Sequence, residues 1–334
     1  MRKFVLAFAI CLFANTIIAC DICGCFMGVM PYDNQSSFAL MHRYRVFNGY
    51  RNYQSHTRYF PPGAYKTTHG GGHDTLLTRN YSSADYESFK IFELRAKYFI
   101  HERIELNLFA SIVNSKSKED SIKIKHTGLS DPSFFAGYHI IRPKMEEDLK
   151  MRWIVGAGIK LPSGNFYVKD KNDKRLPFLM QPGTGSFDYF FYTTYMIAYK
   201  KIGFTTSANY KINGTNFYKE RIGNSITNFS SVFCKFKTKN WSFMPSISTY
   251  YEYTKGLYVF DIAQEGTEMN ELMLGPGMDM YYKNYGLSMG IQKTIHHHAG
   301  AGELKSVGRI FVSLSYNFNQ RKYLLKGKKK EERQ

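Results

Sequence analysis

The feature that most constrains this chain is a long run in which apolar and polar residues alternate. Positions 202, 204, 206, 208, 210 and 212 are mostly apolar, whereas the positions between them are small or polar. A period of two is that of a β-strand with one apolar and one polar face. Twelve such residues extend over about 40 Å, which is long for a strand of a soluble domain. The segment 186–199 alternates in the same way, and only Lys200 and Lys201 separate the two. We therefore predict a hairpin of two long amphipathic strands.

The same alternation recurs along the chain and predicts twelve strands. Their approximate ranges are 37–48, 89–100, 104–114, 130–141, 150–161, 186–199, 202–213, 225–237, 241–253, 271–283, 285–295 and 306–318. The predicted connections alternate in length. Residues 101–103, 143–149, 200–201, 239–240 and 284 form short ones, and residues 49–88, 115–129, 162–185, 214–224, 254–270 and 296–305 form long ones. Short turns at one end and long loops at the other are typical of an up-and-down transmembrane barrel. An even strand number places both chain ends on the periplasmic side.

Composition is consistent with an all-β, up-and-down antiparallel transmembrane β-barrel of about twelve strands. The mean hydropathy is −0.37, but a barrel needs an apolar residue only at every second position. Aromatic residues make up 16% of the chain, and amphipathic rings concentrate where lipid meets water. A sheet edge in hydrocarbon leaves backbone groups unpaired, so the first strand must close on the last. A bore of this size leaves room for a passage or a plug. A large soluble β-sandwich is the alternative.

The N-terminus has the pattern of a secretory signal peptide. Arg2 and Lys3 precede the apolar run 4–13, and Ala19 is a small residue before a cleavage point. We predict a signal peptide at 1–19, a cysteine-containing periplasmic segment at 20–36, a barrel at 37–319 and a basic disordered tail at 320–334. The formal net charge is +18, but the basic residues are scattered in an exported, alternating chain. Loops, tail and lipid head groups account for this charge better than nucleic acid does.

Charged and polar residues recur on the face that is predicted to line the barrel interior. Mixed charges inside a barrel either form ion-pair ladders that hold its shape or line a polar passage. Both signs are evenly represented, which favours the ladder. The predicted interior residues are Arg43, Arg45, Glu93, Arg95, Lys97, Glu105, Asp131, Arg152, Lys160, Asp188, Lys211, Glu252, Asp279 and Arg309.

Three cysteines form a C-x-x-C-x-C pattern at the predicted mature N-terminus. Cys20, Cys23 and Cys25 have the spacing of a soft-metal site for Cu or Zn. A disulfide between two of these cysteines is the second alternative, since exported thiols oxidise. The third alternative is a lipid anchor on Cys20, because residues 17–20 loosely resemble a lipobox. No certain cofactor follows from this pattern.

Histidines cluster in two predicted long loops that the strand count places at the same outer end. His69 and His73 belong to the first loop, and His296, His297 and His298 open the last. Neutral imidazoles suit Cu, Zn or Ni, so metal capture is one hypothesis and a polar flexible loop is the other. The sequence holds no metalloprotease H-E-x-x-H motif, and no nucleophile–base pair stands out. We do not expect an enzyme.

Four segments occur in an order that resembles a known family. They are GLSDPSFFAGYHI (128–140), GAGIKLPSGNF (156–166), QPGTGSFDYFFYTTYMI (181–197) and YKING (210–214). They are similar to the outer-membrane transporter family named for the meta-pathway of phenol degradation. The N-terminal CDICGC (20–25) resembles a Bacteroidetes-type branch.

The resemblance implies a porin-like Gram-negative outer-membrane barrel that contacts lipid and the barrel-assembly machinery. Its implied role is a channel or transporter for a small hydrophobic molecule or a metal ion. The alternative is a plugged, non-transporting structural or metal-binding barrel. The family carries no established set of functional residues to transfer to this chain.

Overall fold

The computed structural model describes residues 35–50, 85–119, 122–143, 148–170, 173–264, 267–299 and 304–318. Strands dominate these residues. A search of the described ranges finds no helix with the length and apolar character needed to span a membrane. The predicted signal peptide, Cys20, Cys23, Cys25, His69, His73 and the basic tail lie outside the described residues.

Twelve antiparallel strands form one sheet that closes on itself. Each pairs with its neighbours in sequence, and β1 also pairs with β12, with Leu40 opposite Leu314. The prediction of a closed, up-and-down barrel of twelve strands is confirmed. The strands are β1 (Ser36–Tyr50), β2 (Tyr86–His101), β3 (Ile104–Glu119), β4 in two parts (Ile122–Leu129 and Ser133–Ile141), β5 (Leu149–Lys160), β6 (Asp188–Tyr199), β7 (Ile202–Asn213), β8 (Ser225–Cys234), β9 (Trp241–Thr254), β10 (Met269–Tyr282), β11 (Tyr285–Ala299) and β12 (Leu304–Phe318).

Burial alternates along the strands, and it is the polar residues that are buried. In β7 the side chain of Lys211 is 1% exposed, whereas Ile202 is 63% exposed. A soluble sandwich buries its apolar faces, so this inverted pattern is that of a barrel with a polar interior and an apolar exterior. The soluble β-sandwich is therefore excluded.

The outer surface carries an apolar belt with aromatic side chains near one rim. We call the rim with the short connections the turn end and the opposite rim the loop end. Exposed aliphatic residues occupy the middle of the outer face, and Trp153, Tyr199, Trp241, Tyr285 and Tyr316 lie towards the turn end. The rings of Tyr285 and Tyr316 are 5.3 Å apart between centroids. This arrangement suits a bilayer, where aromatic rings favour the interface.

Several connections differ from the prediction because pairing continues beyond the apolar belt. The predicted loop 115–129 is mostly strand, since β3 runs to Glu119 and the first part of β4 pairs with it. Its apolar alternation is limited to residues 122–125, and a hairpin outside the belt does not need more. β8 ends at Cys234, before a two-residue strand, Phe236–Lys237. The loops after β7 and β9 contribute a small sheet formed by Glu220–Ile222, Leu257–Val259 and Ile262–Gln264.

The connection between β5 and β6 turns into the barrel. We call residues 161–170 and 173–187 the inner loop. It includes a short 3-10 helix, Phe178–Met180, and buries Leu176, Phe178 and Met180. Leu176 and Met180 pack with Phe47, Phe89 and Leu304 of the barrel wall, and Phe178 packs with Ile222 and Leu257 of the small sheet. The inner loop therefore covers part of the lumen at the loop end.

Candidate functional site

The barrel interior is the candidate site, because it concentrates charge in a protected space. The fourteen charged residues predicted for the interior all lie in strands or, for Asp131, at a strand break. Eleven are buried, namely Arg43, Arg45, Glu93, Glu105, Asp131, Arg152, Lys160, Asp188, Lys211, Glu252 and Arg309, whereas Arg95, Lys97 and Asp279 are partly exposed. Buried charges require partners, and twelve of the fourteen residues belong to four clusters, the exceptions being Arg152 and Asp279.

The first cluster joins β5, β6 and β7 around Asp188. Lys160 Nζ lies 2.5 Å and Lys211 Nζ 2.9 Å from Asp188 Oδ2. The other carboxylate oxygen accepts hydrogen bonds from Ser186 Oγ at 2.9 Å and the Gly214 amide at 3.1 Å. One carboxylate thus holds two buried lysines at the loop end of three neighbouring strands.

The inner loop is fastened to this cluster through Asp131. Asp131 sits where β4 is interrupted, and its carboxylate accepts hydrogen bonds from the backbone amides of Gly164 and Thr184, each at 2.8 Å. Lys160 Nζ is 3.3 Å from the same carboxylate. A Cβ on Gly164 would lie 2.6 Å from the Asp131 backbone, so glycine is needed for this close approach. The loop's inward course follows from these contacts.

The second cluster crosses the lumen. Arg45 of β1 forms an ion pair with Glu252 of β9 at 2.9 Å and a second one with Glu271 of β10. None of the three side chains is more than 2% exposed. Nearby, the Arg309 guanidinium lies 3.5 Å from the centroid of the Tyr250 ring. Strands that are not neighbours in the sheet are thereby tied together through the interior.

The third cluster lies at mid-height between β1 and β2. Arg43 Nη2 is 2.7 Å from Glu93 Oε2, and Arg95 forms an ion pair with the other oxygen of Glu93. The Arg95 guanidinium lies 4.7 Å from the centroid of the Phe109 ring. Phe109 belongs to a buried apolar cluster whose other members are Phe135, Ile154, Phe190 and Tyr192.

The fourth cluster surrounds Glu105 near the turn end. Its Oε2 atom is 3.0 Å from His139 Nε2 and 3.7 Å from Lys97 Nζ. Asn107 Nδ2 donates to Oε1 at 3.2 Å. A carboxylate with a cation and two further polar partners is the arrangement expected of a charge removed from water.

Two cavities lie along one side of the lumen. The upper cavity, towards the loop end, extends over about 820 Å³ of space that includes open solvent, and the lower cavity over about 700 Å³ of such space. Phe89, Phe178, Phe190, Glu93 and Lys211 line the upper one. Arg95, Lys97, Glu105, Arg152 and Tyr192 line the lower one. Phe109 lines both.

Sequence reasoning missed two charged or titratable members of these clusters. Glu271 is fully buried and belongs to the Arg45 cluster, although it shares the strand face of the predicted interior residue Asp279. His139 is also fully buried, on the same face of β4 as Phe135 and Gly137. In both cases the alternation of period two along the strand was enough to place the side chain on the interior face.

The structure does not bring the three consecutive histidines together on one face. The prediction that they open a loop is wrong, because His296, His297 and His298 lie within β11. A register shift at Ile295 follows from the pairing, in which His296 is opposite Leu272 and His297 is opposite the interior residue Glu271. His297 therefore lies on the interior face and its two neighbours on the outer one. Among the described residues, no group of three metal-ligating side chains occurs.

One pentapeptide has the form of a hydrolase nucleophile motif. Residues 286–290 read GLSMG and so match G-x-S-x-G. That motif acts where a strand turns sharply into a helix, whereas this copy lies inside β11 and is paired on both sides. Ser288 is hydrogen-bonded to Asp279, not to a histidine base. The placement gives no support for an enzyme.

Comparison with known proteins gives a fold match only. No family model matches the sequence, and no curated protein matches it. An outer membrane channel from Pseudomonas putida F1 is 12% identical with a TM-score of 0.60, over 87% of this chain and 100% of that one. The β domain of a Bordetella autotransporter is 7% identical with a TM-score of 0.48, over 86% and 100%. A Pseudomonas aeruginosa FadL homologue is 11% identical with a TM-score of 0.35, over 86% and 91%. The first similarity supports the barrel fold, and the other two are too low to support an argument.

Proposed function

We propose that this protein is an outer-membrane channel or transporter for a small molecule. The observation that carries the proposal is the combination of an apolar outer face with an interior that holds two cavities in line between the rims. A barrel that served only as an anchor needs no internal space. The fold match to an outer membrane channel is consistent with this function, and the proposed export signal and outer-membrane location follow from the same reasoning. Both chain ends then face the periplasm.

A small, largely apolar molecule is the cargo that suits the upper cavity. Its wall combines Phe89, Ile91, Phe109, Phe178 and Phe190 with a few charged groups that are already paired. Apolar walls with a few fixed polar groups are typical of small-molecule sites. The meta-pathway family resemblance points to cargo of the same kind.

A metal ion is the second cargo, and it rests on the cysteine and histidine motifs of the sequence. Replacing His69, His73 and His296–His298 with alanine tests it. If the cargo is a metal, growth at limiting Cu or Zn falls while growth in replete medium is unchanged. Equal growth of variant and wild type in both media contradicts a metal cargo.

A plugged, non-transporting barrel is the alternative function. The ion pairs from Arg45 to Glu252 and Glu271 favour it, because they tie strands that are not neighbours together within the lumen. The inner loop favours it as well, since Leu176, Phe178 and Met180 cover part of the loop end.

Single-channel recording in planar bilayers separates the two functions. The protein is purified in detergent, and its folded state is verified by a gel band that changes mobility on heating. We expect discrete conductance steps in KCl, with a small unit size that reflects the narrow interior. Folded protein that inserts but never conducts, even when the interior ion pairs are removed, contradicts the proposed function.

A further inference from the structure

The middle of the barrel separates the two cavities, and its composition differs between the two sides. Around β8 to β12 and into β1, Met41, Phe229, Tyr250, Met273 and Phe311 form a buried apolar cluster. The Arg45 ion pairs lie beside it, since Tyr250 OH donates to Glu252 at 3.1 Å. This side of the lumen is filled by side chains that have no adjoining cavity among those described above.

On the β1 to β7 side, where both cavities lie, one charged group of three residues separates them. Arg43 and Glu93 line the upper cavity, Arg95 lines the lower cavity, and Glu93 pairs with both arginines. Behind them, Phe109 borders both cavities and accepts the Arg95 guanidinium on its ring face. The border between the cavities therefore runs through the Glu93–Arg95 contact and the edge of Phe109.

Open space adjoins these side chains, whereas their counterparts in the apolar cluster line neither of the two cavities. A long arginine side chain next to open space reaches a second rotamer without displacing the wall. The apolar cluster has no comparable freedom, because a close-packed interior resists displacement. A hydrogen-bonded ion pair has two discrete states, formed and broken, which is what a gate requires.

We propose that Arg43, Glu93 and Arg95, backed by Phe109, form the gate of the barrel and set its ion selectivity. Breaking the Glu93–Arg95 contact joins the two cavities into one passage along the β1 to β7 side. The inference rests on the proposed channel function. The Arg45 cluster and the Asp188 cluster hold the wall and do not open.

The test compares charge-neutralising variants at the gate with a matched variant on the filled side. Glu93→Gln weakens the ion pair and removes negative charge from the border between the two cavities. We expect roughly a tenfold rise in the probability of the open state and a reversal potential shifted towards anions in a KCl gradient. Arg95→Gln shifts the reversal potential towards cations. Arg309→Gln is the control, because Arg309 also lies inside the barrel over an aromatic ring.

The outcomes separate a wrong gate from a wrong function. Every variant is first shown to fold by its heat-dependent gel mobility, and Phe109→Ala provides a second way to widen the same point without changing charge. Suppose that the wild type conducts, and that Glu93→Gln, Arg95→Gln and Phe109→Ala have the same open probability and reversal potential as Arg309→Gln. The gate assignment is then wrong, and the channel function stands. If neither wild type nor any gate variant conducts, the channel function itself fails. If the wild type is silent and Glu93→Gln conducts, the gate is supported.

Discussion

Two lysines share one carboxylate in the wall of this barrel, and that arrangement shows how single residues hold the interior together. Lys160 and Lys211 are nearly inaccessible to solvent, and both contact Asp188, which is fully buried. Removing one member of a buried ion pair leaves an uncompensated charge, which costs far more than the loss of an exposed pair.

Asp188→Asn is therefore expected to destabilise the folded barrel by about 3–5 kcal/mol. The measurement is the urea concentration at which half of the protein loses its folded gel mobility. Asp173→Asn is the matched control, because Asp173 pairs with Lys169 on an exposed part of the inner loop. A control midpoint equal to that of the wild type is expected. Equal midpoints for Asp188→Asn and Asp173→Asn would show that the cluster does not stabilise the barrel.

The residue scale also shows how far sequence reasoning reaches. A period of two is enough to assign a face to each charged residue, as the burial of Arg45 and Lys211 illustrates. It is not enough to assign partners. Arg45 meets Glu252 and Glu271, which lie more than 200 residues further along the chain. That contact depends on the diameter and stagger of the closed sheet, which no local pattern encodes.

At the scale of elements, the strands follow from the sequence and the inner loop does not. The β6–β7 hairpin has the tight two-residue connection that was predicted, because alternation marks both strands within the apolar belt. Outside the belt, the sequence of the β3–β4 hairpin alternates only at residues 122–125. In the inner loop, Phe178 and Met180 gave no sign of their inward course, since an isolated aromatic in a loop suits many environments.

The inner loop yields the prediction that belongs to the scale of elements. Phe178→Ser removes an aromatic contact with Ile222 and Leu257, and large-to-small changes of this type cost about 3–5 kcal/mol. We expect the loop to detach while the barrel remains folded. Trypsin should then cleave in vesicles after Arg175, which is partly buried and paired with Glu220 in the wild type, and conductance should rise.

Phe217→Ser provides the control for that experiment. Phe217 is 82% exposed in the next loop, so its loss removes little packing. We expect it to retain the protease resistance of the wild type. If trypsin treats both variants alike, the inner loop is not held by its buried aromatic side chain, and its position in the lumen needs another explanation.

For the whole molecule, the decisive property is that the sheet closes and turns its apolar face outwards. Composition alone does not establish this, since the mean hydropathy is negative. Alternation over strands of this length, with short and long connections in turn, predicted both the class and the strand number. The outward apolar face and the paired interior charges are two consequences of the same closure, because a membrane barrel has lipid on one side and a shielded polar space on the other.

The most direct test of this account is a disulfide between the first and last strands. Leu40 of β1 lies opposite Leu314 of β12, and both side chains are exposed on the outer face. In a background with the native cysteines changed to serine, Leu40→Cys with Leu314→Cys should cross-link on oxidation in membranes. Leu40→Cys with Ile310→Cys should not, because Ile310 pairs with Tyr44 four residues away. Folded membrane protein that cross-links neither pair, or both equally, would contradict a closed barrel with this register.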